Sequence, residues 1–179
     1  MLSRSDIAAR RMINKINMKY LLLAVTVLFL VSPISAQDKV IVLVRHAEKA
    51  DATSQDPELS AEGKERARRL IKRAGKYRPN EFYSTDFKRT RDTLAPLAAK
   101  RKKQVQTYDP RKAKELAETI LKSPNKRIIV SGHSNTIPGL ANLIAKKEVF
   151  KNLDDSEYSV LWVIRIKKGK LQRVELFEY

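Results

Sequence analysis

Apolar residues in this chain are grouped in two ways. At residues 40–44 and 128–130 they form short unbroken runs of β-branched and aliphatic side chains, the pattern of strands buried on both faces of a parallel sheet. Elsewhere they recur at helical spacing. Ser60 is placed to cap a helix whose apolar stripe is Ala67, Leu70, Ile71 and Ala74. Residues 81–84 predict a second strand, and Asp86 is placed to cap a helix with Phe87, Thr90, Leu94, Leu97 and Ala98 inward and Pro96 kinking it. Residues 104–107 predict a third strand. Asp109 and Pro110 then form a helix start, followed by the stripe Ala113, Leu116, Ala117, Ile120 and Leu121. A largely apolar helix is expected over 136–146, with Pro138 tolerated in its first turn. Residues 158–166 and 171–177 around Lys168 and Gly169 predict a terminal hairpin. Strands alternating with helices predict a three-layer α/β/α domain with a mostly parallel sheet, the hairpin adding an antiparallel edge.

The first 36 residues are not expected to join this domain. Met18, Lys19 and Tyr20 precede an apolar run over 21–31, and Ser35 and Ala36 offer a small-residue cut. This is the form of a secretory signal peptide, with cleavage expected after Ala36 and Met18 a possible true start. The run is short of the about 20 apolar residues a bilayer span requires, so no stable membrane span is expected after cleavage. Residues 37–179 then form one domain with a periplasmic or secreted address. The other reading is an uncleaved anchor.

Charge narrows the partners. The whole chain carries +17, and loss of the leader, with five Lys or Arg and one acid, leaves +13. Such a field favours anionic ligands without naming them. The cations Lys64, Arg66, Arg68, Arg69, Lys72 and Arg73 fall on the outer side of the first helix. With no aromatic residues among them they read as a solvated face, and nucleic acid is not an expected partner. The chain has no cysteine, which excludes disulfides and thiolate catalysis.

Only two histidines occur, His46 and His133, and each closes an apolar strand. Ligands of open α/β sheets bind outside the carboxyl ends of the strands, so both histidines are expected at one crevice although 87 positions separate them. Arg45 beside His46 adds a planar fork of donors suited to phosphate oxygens, and neutral imidazole is a competent nucleophile. Arg89, in the first turn of its helix, is a second candidate clamp, its alternative being an ion pair with Asp92. His133 sits at a strand–helix junction where it can bind a phosphoryl oxygen. Phosphoryl transfer needs this clamping and charge neutralisation above all.

The segments Val44-Arg45-His46-Ala47-Glu48, Leu59-Ser60-Ala61-Glu62-Gly63, Ser84 through Thr93 and Gly132-His133-Ser134-Asn135 together resemble the histidine phosphatase (phosphoglycerate mutase-like) superfamily, in a small branch 1-type form. The resemblance implies a metal-independent hydrolase of phosphate monoesters. His46 would be the nucleophile that becomes phosphohistidine, and Arg45, Arg89 and His133 would hold the phosphoryl oxygens. No cofactor and no metal are expected, since two histidines among arginines make a poor cation site. The substrate would be a small phosphate ester or another anion. Ala47 stands where many members have glycine, and Asp86 where many have proline. The family's general acid has no clear counterpart: Ser134 follows the second histidine, and the chain has little room for the inserted glutamate of larger members. Glu48 is the candidate acid, its alternative being an ion pair with Lys49 or an arginine. Two other functions remain open, a non-catalytic phosphate-binding module and a phosphohistidine phosphatase acting on proteins.

Overall fold

The computed structural model describes residues 38–51 and 53–179. The expected signal peptide lies outside the described residues. Among the described residues, no helix is long and apolar enough to cross a membrane.

Six strands form one sheet in the order β3-β2-β4-β1-β5-β6. They are β1 (Lys39–Arg45), β2 (Glu81–Thr85), β3 (Val105–Tyr108), β4 (Arg127–Gly132), β5 (Val160–Lys167) and β6 (Lys170–Glu178). Strands β1 to β4 run parallel, while β5 joins β1 antiparallel and β6 joins β5 antiparallel. The hairpin therefore extends an otherwise parallel sheet along one edge, as its position around Lys168 and Gly169 predicted. Gly169 has φ 72°, the left-handed region that glycine enters without steric cost.

Helices α1 (Ala61–Arg73), α2 (Lys88–Arg101), α3 (Ala113–Lys122) and α4 (Thr136–Ala145) cover the two sheet faces in pairs. Strand alternation decides which pair each residue meets. Ile41 and Leu43 of β1 pack with Leu116, Ile120, Ile137 and Leu140 of α3 and α4. Their neighbours Val42 and Val44 pack on the opposite face with Leu70, Leu94 and Leu97 of α1 and α2. An unbroken apolar run is what a strand buried on both faces requires. The chain thus forms the expected three-layer α/β/α arrangement with a mixed six-stranded sheet.

Local signals held at several ends. Ser60 caps α1 by accepting from Gly63 N at 3.0 Å. Asp109 caps a 3₁₀ turn over Pro110–Lys112 that leads into α3. Asp86 does not cap α2: the cap position is Phe87, which supplies no side-chain bond, and the Asp86 carboxylate pairs with Arg91. A guanidinium five residues on competes successfully with backbone N–H groups for that carboxylate. Helix α2 also continues through Pro96 to Arg101.

Candidate active site

The parallel register brings three strand ends level. Arg45 of β1 faces Gly132 of β4, and Ser84 of β2 faces Ser131. His46 N donates to the Gly132 carbonyl at 2.9 Å, carrying the ladder one residue beyond β1. The His46 and His133 rings then meet edge to face, with centroids 5.4 Å apart. The two histidines share one crevice at the carboxyl end of the sheet, where such folds present ligands.

Two glycines make this packing possible. A Cβ on Gly132 would lie 2.7 Å from Thr136 Oγ1 and 2.9 Å from the Tyr108 hydroxyl. A Cβ on Gly63 would lie 2.3 Å from the Glu48 carbonyl oxygen. Ser60 N donates to that same oxygen at 3.0 Å, so the start of α1 is moored to the residue just after the β1 motif. Ala47, where larger side chains would intrude, is fully buried and donates its N–H to Thr93 Oγ1 at 2.9 Å.

His46 is buried, and its Nδ1 lies 2.8 Å from the Ala47 carbonyl oxygen. A carbonyl can only accept, so Nδ1 carries the proton and Nε2 keeps its lone pair. Burial pushes the imidazole down to about 3, opposed by the Ala47 bond and reinforced by the charges of His133, Arg45 and Arg89. His133 is pushed down to about 4 by burial, then by Arg89 and Arg45. Both rings are neutral at pH 7. His133 Nε2 sits 3.0 Å from Thr85 Oγ1, which donates to Thr90 Oγ1 at 2.9 Å. Because Thr90 in turn donates to the Phe87 carbonyl at 2.8 Å, this chain of hydroxyls assigns the His133 proton to Nε2.

Arg45 is buried and rigidly held. Its Nη1 donates to the carbonyls of Asp154 and Glu157 at 2.7 and 2.8 Å, and its guanidinium carbon lies 4.2 Å from the centre of the Tyr158 ring. Arg89 donates to the Gln55 carbonyl at 3.2 Å, approaches Asp56 at 3.8 Å and lies 4.4 Å over the Phe87 ring. The alternative considered for Arg89, an ion pair with Asp92, gives way to these contacts. In both arginines Nε is buried and has no hydrogen-bond partner among the described residues. Buried donors are normally paired, so two orphaned guanidinium N–H groups beside two imidazoles point to an oxyanion as the ligand. An open depression of about 420 Å³, lined by Asp86, Phe87, Tyr108 and Asp109, adjoins His133 through the Phe87 ring.

Glu48, the candidate acid, is engaged elsewhere. Arg66 Nε bonds both of its oxygens at 2.8 and 3.0 Å, and Arg66 Nη2 adds a third bond. Burial alone would raise this carboxyl, but the Arg66 bonds outweigh it and hold the group below its ordinary value. Glu48 is therefore a bound carboxylate locking α1 to the strand end, poorly suited to donate a proton. Arg66, expected on the solvated outer face of α1, is instead turned onto Glu48 and largely buried, because the half-buried carboxylate draws it in; Thr85, Asp56, Asp155 and Tyr158 take part in or around the crevice without having been singled out as site residues from sequence. Asp155 approaches Arg45 at 3.4 Å from a fully exposed position. Among the described residues, no group of three or more His, Asp or Glu side chains is placed to hold a metal ion.

Residues 41–118 match the family model of the histidine phosphatase superfamily (branch 1), a stretch that contains Arg45, His46 and Arg89 and ends before His133. No curated protein matches the chain by sequence. Solved structures share its fold. A mycobacterial glucosyl-3-phosphoglycerate phosphatase superposes with a TM-score of 0.62 at 14% identity, covering 80% of this chain and 99% of its own. A phosphoserine phosphatase from Entamoeba histolytica, in complex with 3-phosphoglyceric acid, gives 0.60 at 14% identity, covering 79% of this chain and 97% of its own. Residues 41–118, with the Arg45–His46 and Arg89 segments, are thus similar to the histidine phosphatase superfamily (branch 1), and the chain shares its fold with solved phosphatases.

Proposed function

We propose that the protein is an exported phosphatase that hydrolyses small phosphate monoesters through a phosphohistidine on His46. One observation carries this reading: His46 presents a free Nε2 lone pair beside two guanidiniums whose buried Nε groups lack partners among the described residues. In the first step Nε2 attacks phosphorus and the ester oxygen leaves. Arg45 and Arg89 hold the non-bridging oxygens and offset their charge where water is excluded. A bound phosphate dianion opposes the field of the two arginines, so His133 can take a proton on Nδ1 and donate it to a phosphoryl oxygen. Water then attacks the phosphohistidine and releases phosphate. Every step uses side chains alone, so activity is expected to survive chelator and to be suppressed by vanadate. Export rests on the segment from Met18 to Ala36, and N-terminal sequencing of the secreted or periplasmic protein should begin at Gln37.

The test is rapid quenching with an aryl phosphate, followed by intact mass. A phosphoryl adduct is expected on the wild type and absent from His46→Ala. No adduct and no turnover across a broad panel of phosphate esters would instead support a binding module, a reading favoured by the capture of Glu48 by Arg66. A phosphohistidine peptide turned over far faster than any ester would shift the substrate class to phosphoproteins.

A further inference from the structure

With Glu48 held by Arg66, the leaving oxygen needs another source of its proton. The crevice narrows the choice. His46 is committed to attack, and His133, protonated once phosphate binds, gives its proton to a phosphoryl oxygen. Asp56 accepts from Lys88 N at 2.8 Å and faces Arg89, while Asp155 faces Arg45. Each is thus paired with one of the two arginines, Asp155 from a fully exposed position. Guanidiniums do not release protons.

Tyr158 carries a proton-bearing group on a ring packed against the nucleophile. Its ring centre lies 5.9 Å from that of His46, and the Arg45 guanidinium lies 4.2 Å from its centre. The stretch preceding it is anchored at three places. Asn142, buried, bonds Val149 N, Phe150 N and the Phe150 carbonyl; Leu153 N donates to the Ser134 carbonyl at 2.9 Å; and Arg45 binds the carbonyls of 154 and 157. A tyrosine following so tethered a strap is held against Arg45 and His46.

Building on the phosphatase reading, we propose that Tyr158 is a catalytic residue, the donor of the proton that the leaving oxygen takes. As the phosphorus–oxygen ester bond breaks and the phosphorus–Nε2 bond forms on His46, the bridging oxygen takes the phenolic proton and departs as the alcohol. The phenolate ring stays against the Arg45 guanidinium. In the second step water attacks phosphorus, its proton returns to the Tyr158 oxygen, and the phosphorus–nitrogen bond breaks.

The experiment compares Tyr158→Phe with the wild type on two substrates, glycerol phosphate and 2,4-dinitrophenyl phosphate. Phenylalanine keeps the ring against Arg45 and His46. Proton donation contributes about 100-fold or more when the leaving group is a poor one and little when it is good. The variant should therefore lose about 100-fold in kcat on glycerol phosphate while staying within about 3-fold on the dinitrophenyl ester, with its His46 adduct from that ester unchanged. Equal losses on both substrates would make Tyr158 a support for Arg45 and overturn the proposal, as would no loss on either. A wild type with neither adduct nor turnover would overturn the phosphatase reading itself, and the proposal with it.

Discussion

Acid should destabilise this protein well above the usual carboxylate range, and the cause should be its histidines. Histidine is the only side chain whose ordinary pKa lies between pH 5 and 8, and this chain has two. Both are held neutral, with values of about 3 for His46 and about 4 for His133 against 6.5 in the unfolded chain. A depressed folded value means the stabilisation is complete above pH 6.5 and is lost as pH falls from 6.5 towards the folded values. At pH 5 the unfolded chain has taken up a proton at His46 and the folded protein has not, which costs about 2 kcal/mol relative to pH 8. His133 is more open and adds to the loss in the same direction. For a domain of ordinary stability, roughly 5–15 kcal/mol, this is a large fraction. Urea unfolding at pH 8, 6.5, 5.5 and 5 measures it directly. His46→Asn removes the titrating ring, so its loss between pH 8 and 5 should be smaller than that of the wild type by about 2 kcal/mol. Parallel losses in the two proteins would show that His46 titrates normally when folded, and the argument from burial would fail.

Three further outcomes follow from the same contacts. Because His46 stays neutral down to about 3, kcat/KM should show no acid limb at the ordinary histidine value of 6.5 once the substrate's own ionisation, about 6, is divided out; a limb at 6.5 would contradict the assignment. Gly63→Ala places a Cβ 2.3 Å from the Glu48 carbonyl oxygen and should cost about 2 kcal/mol in urea unfolding, with activity falling as the strand end is displaced; unchanged stability would mean that α1 can withdraw freely. Arg66→Met strands the half-buried Glu48 carboxylate and should cost roughly 2–3 kcal/mol, between the exposed and fully buried limits, with Glu48→Gln added to it restoring part of the loss; an additive double variant would deny the pairing.

Local patterns in the chain decided much of this molecule. Residues 40–44 had to be a strand buried on both faces, because alternation sends Ile41 and Leu43 to one helix pair and Val42 and Val44 to the other. The position of His46 and His133 at strand ends followed from those runs, and Ser60 and Asp109 carried their caps in their own side chains. Competition between side chains was another matter. Asp86 and Glu48 both have the chemistry expected of them, but each is captured by an arginine, five residues along the same chain in one case and on a facing helix in the other. Spacing alone cannot rank such partners, since the winner depends on which groups burial brings within bonding distance. Tyr158 shows this most plainly. It opens the run predicted as a hairpin strand and belongs to no motif, and it meets Arg45 and His46 because Asn142, Ser134 and Arg45 tie the preceding stretch over the crevice. The sequence determined which strands end in chemistry, because strand burial is a local pattern. The tertiary structure decided which proton each group holds, because desolvation and charge are set by neighbours far away along the chain.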